Sequence, residues 1–344
     1  MILILSNAYE PTTDMVIEWL IYKHKDFIRL NSEDMTQVDL NNLMNLSGKF
    51  TWLGGQKIDL SAVNVVWYRR WYNYSNIPPP DGTWVGRQLR QELRNEATEM
   101  SNFFFKLLGD RKWLSHPFTT RFHNKLYTLF LARKLGIKVP DTIVATQKSV
   151  LLDFYRDHPG GIITKPIADP PVYVDGEGTH FKTFTEVLTL DIIRDLPEHF
   201  FSSMVQQRVK AKHEIRIYYL DGKFYATAIM NSTTVDIKLS VGFKGMEVNM
   251  IPFRLPESLE EKLHRLMLEL DLNAGSIDVI KDINDDFYFL EVNPIGQFIG
   301  YSNPVNYNLA EVVADWLISN DTKVEEQYLR QSSLQIQNVN FYGD

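Results

Sequence analysis

Along the first third of the chain, short apolar runs alternate with amphipathic segments, which predicts alternating strands and helices. Ile2 to Leu5 reads as a buried strand, and Thr12, Thr13 and Asp14 offer N-caps for a helix through Trp19 and Tyr22. Val63 to Tyr68 predicts a second buried strand that ends in Arg69-Arg70-Trp71, with the breaker Pro78-Pro79-Pro80 after it. From Trp84 to Leu108 the apolar positions Leu89, Leu93, Met100, Phe104 and Leu107 keep a helical period. Arg87, Arg90 and Arg94 share the opposite, solvated face of that long helix. Residues 1–115 then form an α/β lobe without a glycine-rich phosphate loop.

The periods change after His116-Pro117. A helix is expected from Asn124 to Leu135, closed by Gly136, and Ile137 to Ala145 leads into a strand. Gly160 to Pro166 and Met204 to Val209 read as strands, with the glycine-bearing stretch Pro170 to Gly178 between them. Glu214 to Leu220 and Lys223 to Met230 read as a hairpin around Asp221-Gly222. Helices are expected over Glu257 to Leu270 and Leu309 to Ile318, before and after an acidic hairpin, and a polar tail closes the chain.

That hairpin carries the most telling chemistry. Gly275-Ser-Ile-Asp278 and Phe287-Tyr-Phe-Leu-Glu291-Val-Asn293-Pro294 place oxygen ligands among β-branched and aromatic residues. A strand's period of two puts Glu291 and Asn293 on one face, where Asp278 from the neighbouring strand can join them. An all-oxygen set suits Mg²⁺, which keeps waters and shares phosphate oxygens with a nucleotide. Asp282 to Asp286 starts like a calcium loop, but Phe287 stands where glycine is required, so it reads as a turn.

Composition narrows the chemistry further. The 344 residues are 44% hydrophobic, enough for two or three packed lobes. Cysteine is absent, which excludes disulfides, thiolate catalysis and cysteine metal sites, and points to the cytoplasm. The net charge of -7 argues against a dedicated nucleic-acid partner, and no apolar stretch is long enough for a membrane. Walker, His-Glu-x-x-His and Gly-x-Ser-x-Gly motifs do not occur.

The order of parts, a helix-start lysine (Lys125), a strand lysine before a glycine-bearing loop (Lys165), an apolar hinge strand, then Asp278 and Glu291-Val-Asn293, resembles the ATP-grasp ligases. Within them the chain is most similar to graspetide maturases, closest to the grasp-with-spasm ATP-grasp peptide maturases. Val66-Trp67-Tyr68-Arg69-Arg70, Asn124-Lys125 to Pro140, Ile163 to Pro166, Glu214-Ile-Arg216 and Phe289 to Pro294 carry that resemblance. It implies an ATP-grasp fold with a pre-ATP-grasp lobe at 1–115, a central subdomain at 116–204, a C-terminal subdomain at 205–325 and a tail at 326–344.

It also implies ATP and Mg²⁺ as cofactors, a ribosomally made precursor peptide as partner, and a homodimer. Lys125 and Lys165 would hold phosphates, Gln206, Gln207 and Val209 would line the adenine pocket, and Asp278, Glu291 and Asn293 would bind Mg²⁺. Glu214, Arg216, Asp236 and Lys238 are the candidates around the reacting groups. Arg216 lies two residues after Glu214 on one strand face and can steer a carboxylate or its phosphate, or form a Glu-Arg surface pair. Lys238 stands where related maturases carry arginine, which keeps the charge and loses the bidentate fork. Arg69 and Arg70, at a strand end, fit either an acidic ligand or a tie within the lobe.

The implied activity is joining Asp or Glu side chains of a precursor to Ser, Thr or Lys side chains through an acyl phosphate. Two alternatives stay open: ligation of a free amino acid to a small acid or protein tail, and a non-catalytic ATP-binding protein that recruits a peptide.

Overall fold

The computed structural model describes residues 1–37, 49–51, 57–71, 77, 81–109, 111–168, 173–174, 180–181, 183–230 and 249–322. The chain divides into two units, Met1–Pro117 with Leu309–Asp344, and Phe118–Asn308.

The first unit contains β1 (Ile2–Ser6), α1 (Pro11–Tyr22), β2 (Phe27–Asn31), the hairpin β3 (Lys49–Thr51) and β4 (Lys57–Asp59), β5 (Val65–Tyr68), α2 (Trp84–Leu108) and β6 (Lys112–Leu114). Its sheet runs β2-β1-β5-β6 with every pair parallel. β1 and β5 are buried on both faces, which is why they read as continuous apolar runs. The helix Leu309–Asn320 also belongs here: Lys23 after α1 meets Glu311 at 2.9 Å and Asp315 at 2.8 Å. The sequence placed that helix in a subdomain reaching residue 325. Its apolar face, Leu309, Ala310, Val313, Ala314 and Leu317, is buried in the first unit instead.

The long helix occupies the expected residues, but Leu89 and Leu93 are exposed while Arg90 and Arg94 are half-buried. Only its second half, with Ala97, Ser101, Phe104, Phe105 and Leu108 buried, packs against the lobe. At the end of β5, Arg69 is buried with Nη2 3.4 Å from Glu10 Oε1, and Arg70 Nε lies 3.6 Å from the same oxygen. Glu10 also caps α1 by accepting the Thr13 N–H at 2.8 Å. Of the two roles expected for this arginine pair, these contacts are those of a tie within the lobe.

In the second unit follow α3 (Lys125–Lys134), β7 (Thr142–Gln147), α4 (Lys148–Asp157), β8 (Ile162–Lys165), β9 (Glu186–Leu188), α5 (Leu190–Asp195) and β10 (His199–Gln207). The four strands form an antiparallel sheet in the order β9-β8-β10-β7. β10 crosses residues 204 and 205, where the sequence reading set a subdomain boundary. A larger antiparallel sheet is built from β11 (Ala211–Leu220), β12 (Lys223–Met230), β13 (Asn249–Phe253), β14 (Ala274–Asp282) and β15 (Phe287–Asn293), in the order β13-β12-β11-β14-β15. The helix α6 (Glu257–Glu269) precedes β14. Asp221 (φ 46°) and Gly222 (φ 90°) make the left-handed turn between β11 and β12 that the sequence predicts.

Alternation sorts the residues of both sheets. On the larger one, Ile215, Ile217, Ile277, Val279, Phe289 and Val292 join Leu263, Leu266 and Met267 of α6 in the main core. Each such side chain contributes about 1.5–3 kcal/mol on burial, so the register of these strands is strongly fixed. On the smaller sheet, Ile162 and Val205 pack with Leu151 and Phe154 of α4 and Ile193 of α5. Its other face is carried by Ile163, Lys165, Met204 and Gln206, which are cross-strand partners.

Candidate active site

The polar face of the larger sheet is assembled by register. Arg216 is the direct partner of Asp278, Asp278 of Glu291, and Ser276 of Asn293. A β-bulge between β14 and β15 makes this possible, because Val279 pairs with Phe289 while Asp278 pairs with Glu291, leaving Leu290 extra. Without it Phe289 and Glu291 would share a face. With it, Phe289 stays in the core and Glu291 and Asn293 turn to the polar side. The Phe289 N–H donates to the Lys138 carbonyl at 2.8 Å, so that amide stays paired across the local break in the ladder.

Arg216 sits at the centre of a charged cluster. Its Nη1 is ion-paired with Asp278 Oδ2 and its Nη2 lies 3.3 Å from Glu214 Oε2, with all three side chains largely buried. The guanidinium also lies 5.7 Å from the Tyr301 ring centroid. Burial disfavours its charge, but the carboxylates of Asp278 and Glu214 outweigh that and raise its pKa further. This guanidinium is permanently charged. The Glu214-Arg216 pair is thus a partly buried one, not the exposed surface pair weighed from sequence.

Lys125 opens α3, where Asn124 Oδ1 caps the helix by accepting the Tyr127 N–H at 2.9 Å. Its ammonium lies 3.2 Å from Glu291 Oε2 and donates to the Pro166 carbonyl at 3.3 Å. Pro166 directly follows Lys165, so one side chain links the end of β8 to the carboxylate on β15. The structure therefore gathers Lys125, Glu291, Asp278, Arg216 and Glu214 in one connected network, with the Lys165 strand tied to it.

Among the residues expected to line an adenine pocket, Gln206 is buried on the face shared with Lys165. Its Nε2 donates to Thr142 Oγ1 at 2.8 Å, and Thr142 in turn donates to the Pro140 carbonyl at 2.8 Å. That order fixes the amide and leaves Gln206 Oε1 a buried acceptor without a hydrogen bond among the described residues. Gln207 points to the opposite face, opposite Ile162, with its N–H donating to the Asp141 carbonyl at 2.8 Å. Val209 lies beyond β10 and is half-buried. Asp236 and Lys238 lie outside the described residues, as does most of the stretch from Pro170 to Gly178.

Among the described residues no group of three His, Cys, Asp or Glu side chains is placed to hold a metal. The oxygen groups expected to serve a metal here are two carboxylates on paired strands, with the Asn293 amide one pleat away. That set fits a magnesium ion that arrives with phosphate oxygens and waters, which needs one or two protein carboxylates and no closed cage. The turn Asp282 to Asp286 is a hydrogen-bonded hairpin end, with Asp282 Oδ1 accepting the Asn284 and Asp286 N–H groups at 2.9 Å each.

Sequence reasoning missed Gly296 and Ser276. A Cβ on Gly296 would stand 2.3 Å from Ser276 Oγ, so the turn after Asn293 closes against β14 only because residue 296 has no side chain.

No family model matches the chain. Its sequence is 25% identical over 239 residues to the alpha-aminoadipate–LysW ligase LysX of Sulfurisphaera tokodaii, covering 64% of this chain and 76% of that protein. Its structure is similar to macrocyclase MdnC of Microcystis aeruginosa, crystallised with precursor peptide MdnA, with TM-score 0.78 and 23% identity over 93% of this chain and 99% of the other. It is also similar to a RiPP-associated ATP-grasp ligase of Chryseobacterium gregarium, solved with ADP and a leader and core peptide. There the TM-score is 0.74 and identity 24%, over 94% of this chain and 99% of the other. The chain has the ATP-grasp fold. The ATP-grasp architecture implied by the resemblance that Lys125, Lys165, Asp278 and Glu291 carry is thereby borne out along nearly the whole length. Among the described residues, no helix is long and apolar enough to cross a membrane.

Proposed function

We propose that this chain is an ATP-dependent peptide macrocyclase that joins Asp or Glu side chains of a ribosomal precursor to Ser, Thr or Lys side chains of the same peptide. The observation that carries the reading is the Lys125 bridge from the strand end after Lys165 to Glu291, beside the Arg216-Asp278 pair, on this fold. A carboxylate is a poor electrophile. Transfer of the terminal phosphoryl group of ATP to its oxygen releases ADP and gives an acyl phosphate. A hydroxyl or amine then attacks the carbonyl carbon, the C–O bond to phosphate breaks, and the lost proton and inorganic phosphate leave.

In this scheme the chain aligns and neutralises rather than reacts. Lys125 and Lys165 supply point charges for phosphate oxygens, and the Arg216 guanidinium stabilises the carboxylate as it becomes an acyl phosphate. Asp278, Glu291 and Asn293 would hold magnesium, which when bound would supply neutralisation of charge on the transferring group. Glu214 keeps Arg216 oriented. Gln206 faces the base, while Gln207 and Val209 contribute backbone only. Asp236 and Lys238 are assigned to the peptide side of the site from their positions in the family motif. A homodimer is carried over from the same resemblance, and a cytoplasmic location supplies ATP and magnesium.

The reading is tested by mass spectrometry of a candidate precursor incubated with the protein, Mg²⁺ and ATP. Loss of one water per ring, abolished by Glu291→Ala or Lys165→Ala, is the expected result. An unchanged mass with the peptide demonstrably bound overturns it for that precursor. A second reading, ligation of a free amino acid to an acidic protein tail, is favoured by the similarity to LysX. It predicts a mass gain by the peptide when amino acids are supplied.

A further inference from the structure

Lys125 makes two contacts that a nucleotide phosphate and a metal would both disturb. Its ammonium is committed to Glu291 Oε2 at 3.2 Å and to the Pro166 carbonyl at 3.3 Å, and lysine and glutamate are equally shielded, at 18% exposure each. A divalent ion on Glu291 would sit a few ångströms from that ammonium, where like charges repel strongly in a poorly solvated pocket. The converse also holds. While Lys125 stays on Glu291, its charge is neutralised and its ammonium is engaged by that carboxylate and by the Pro166 carbonyl.

We infer that the Lys125-Glu291 ion pair is an interlock: Glu291 holds the phosphate-binding lysine back until a cation takes the carboxylate, so metal and nucleotide bind as a coupled pair. The inference rests on the nucleotide-ligase reading and adds to it a mutual exclusion between the Lys125-Glu291 ion pair and a metal on Glu291. Arg216 does not share this behaviour, because its guanidinium is held by two carboxylates, Asp278 and Glu214, and can yield one while keeping the other. Among the described residues Lys125 has one carboxylate partner, Glu291, and its second contact is to a neutral carbonyl, so losing Glu291 leaves its charge uncompensated. The consequence is protection of ATP. A nucleotide that enters without its metal meets a neutralised lysine and dissociates, and only the metal complex releases the charge that aligns it.

The test is a double-mutant cycle on nucleotide affinity by calorimetry with purified full-length protein. In EDTA, Glu291→Gln should bind ATP on the order of tenfold more tightly than the wild type, because Lys125 is released. In a Lys125→Met background, the same Glu291→Gln change should give no gain. A gain that persists without Lys125 would come from removing a repulsive carboxylate and would overturn the interlock, as would no gain in the single variant. Wild-type binding of Mg²⁺-ATP separates the two layers: if it binds and the cycle is additive, the interlock alone fails, and if it does not bind, the nucleotide reading fails with it. Circular dichroism of each variant verifies that it is folded, and Lys125→Arg, which keeps the ion pair, should retain the wild-type discrimination against metal-free ATP.

Discussion

Arg216 and Asp278 are direct cross-strand partners on β11 and β14, and their ion pair is completed by Glu214 two residues along the same strand. The arrangement couples stability to chemistry. Arg216→Met leaves the Asp278 and Glu214 carboxylates without their shared cation in a largely buried site, and breaking a pair of this kind costs about 3–5 kcal/mol. Urea denaturation should show that loss, and peptide processing should fall by at least about 100-fold. Magnesium should recover part of the stability of the variant, since it compensates the carboxylate charge that the arginine no longer balances. A variant as stable as the wild type would mean that the guanidinium contributes nothing net to the sheet.

Gly296 marks the other constraint on the metal face. Gly296→Ala places its Cβ 2.4 Å from Ser276 Cβ as well as against its hydroxyl, so β14 and the turn after Asn293 must separate. Overpacking of this sort costs about 1–3 kcal/mol. A lower thermal midpoint and weaker Mg²⁺-ATP binding are expected together. Adding Ser276→Gly should restore most of the binding, and a pair of effects that simply add would show that the clash is relieved elsewhere.

Much of this site was legible in the sequence because its residues fall at fixed spacings on strands. Glu214 and Arg216, or Glu291 and Asn293, share a face by period alone. The bulge at Leu290 was not legible, since the same period places Phe289 with Glu291 and cannot say which of them leaves the core. The Lys125-Glu291 contact joins a helix start to a distant strand and has no local signature. The partner of Leu309–Asn320 was hidden for a related reason: an apolar face announces burial without naming the surface that buries it. The exposed Leu89 and Leu93 show the reverse case, where a helical period continues beyond the body it packs on.

The hairpin turn gives an acid-sensitive element remote from the network around Arg216. Lys212 and then Lys281, each 2.9 Å from Asp285, hold its carboxylate down at about 2. A depressed folded value means that its contribution is present above the ordinary carboxylate value of 3.8 and is lost as pH falls toward about 2. Thermal midpoints of wild type and Asp285→Asn should therefore differ near neutral pH and converge below about pH 2. Because the group is solvent-exposed, the difference should be small and should shrink in high salt. A difference that persists unchanged at low pH would assign it to the turn geometry instead of the charge.

Gln206 makes a prediction about the base. Thr142 fixes the amide so that Oε1, buried and without a hydrogen bond among the described residues, is presented on the face shared with Lys165. An acceptor in that position is satisfied by an exocyclic amine and is left facing another acceptor by a carbonyl. Adenine offers the amine and guanine the carbonyl. The wild type should therefore discriminate against GTP through KM. Gln206→Met, which keeps the volume and removes the acceptor, should raise KM for ATP by about tenfold, the value of one buried hydrogen bond, with a smaller change in kcat. GTP should be less affected, so the ratio of kcat/KM values for the two nucleotides should narrow. An unchanged ratio would place the base away from Gln206 and leave its buried oxygen to a bound water.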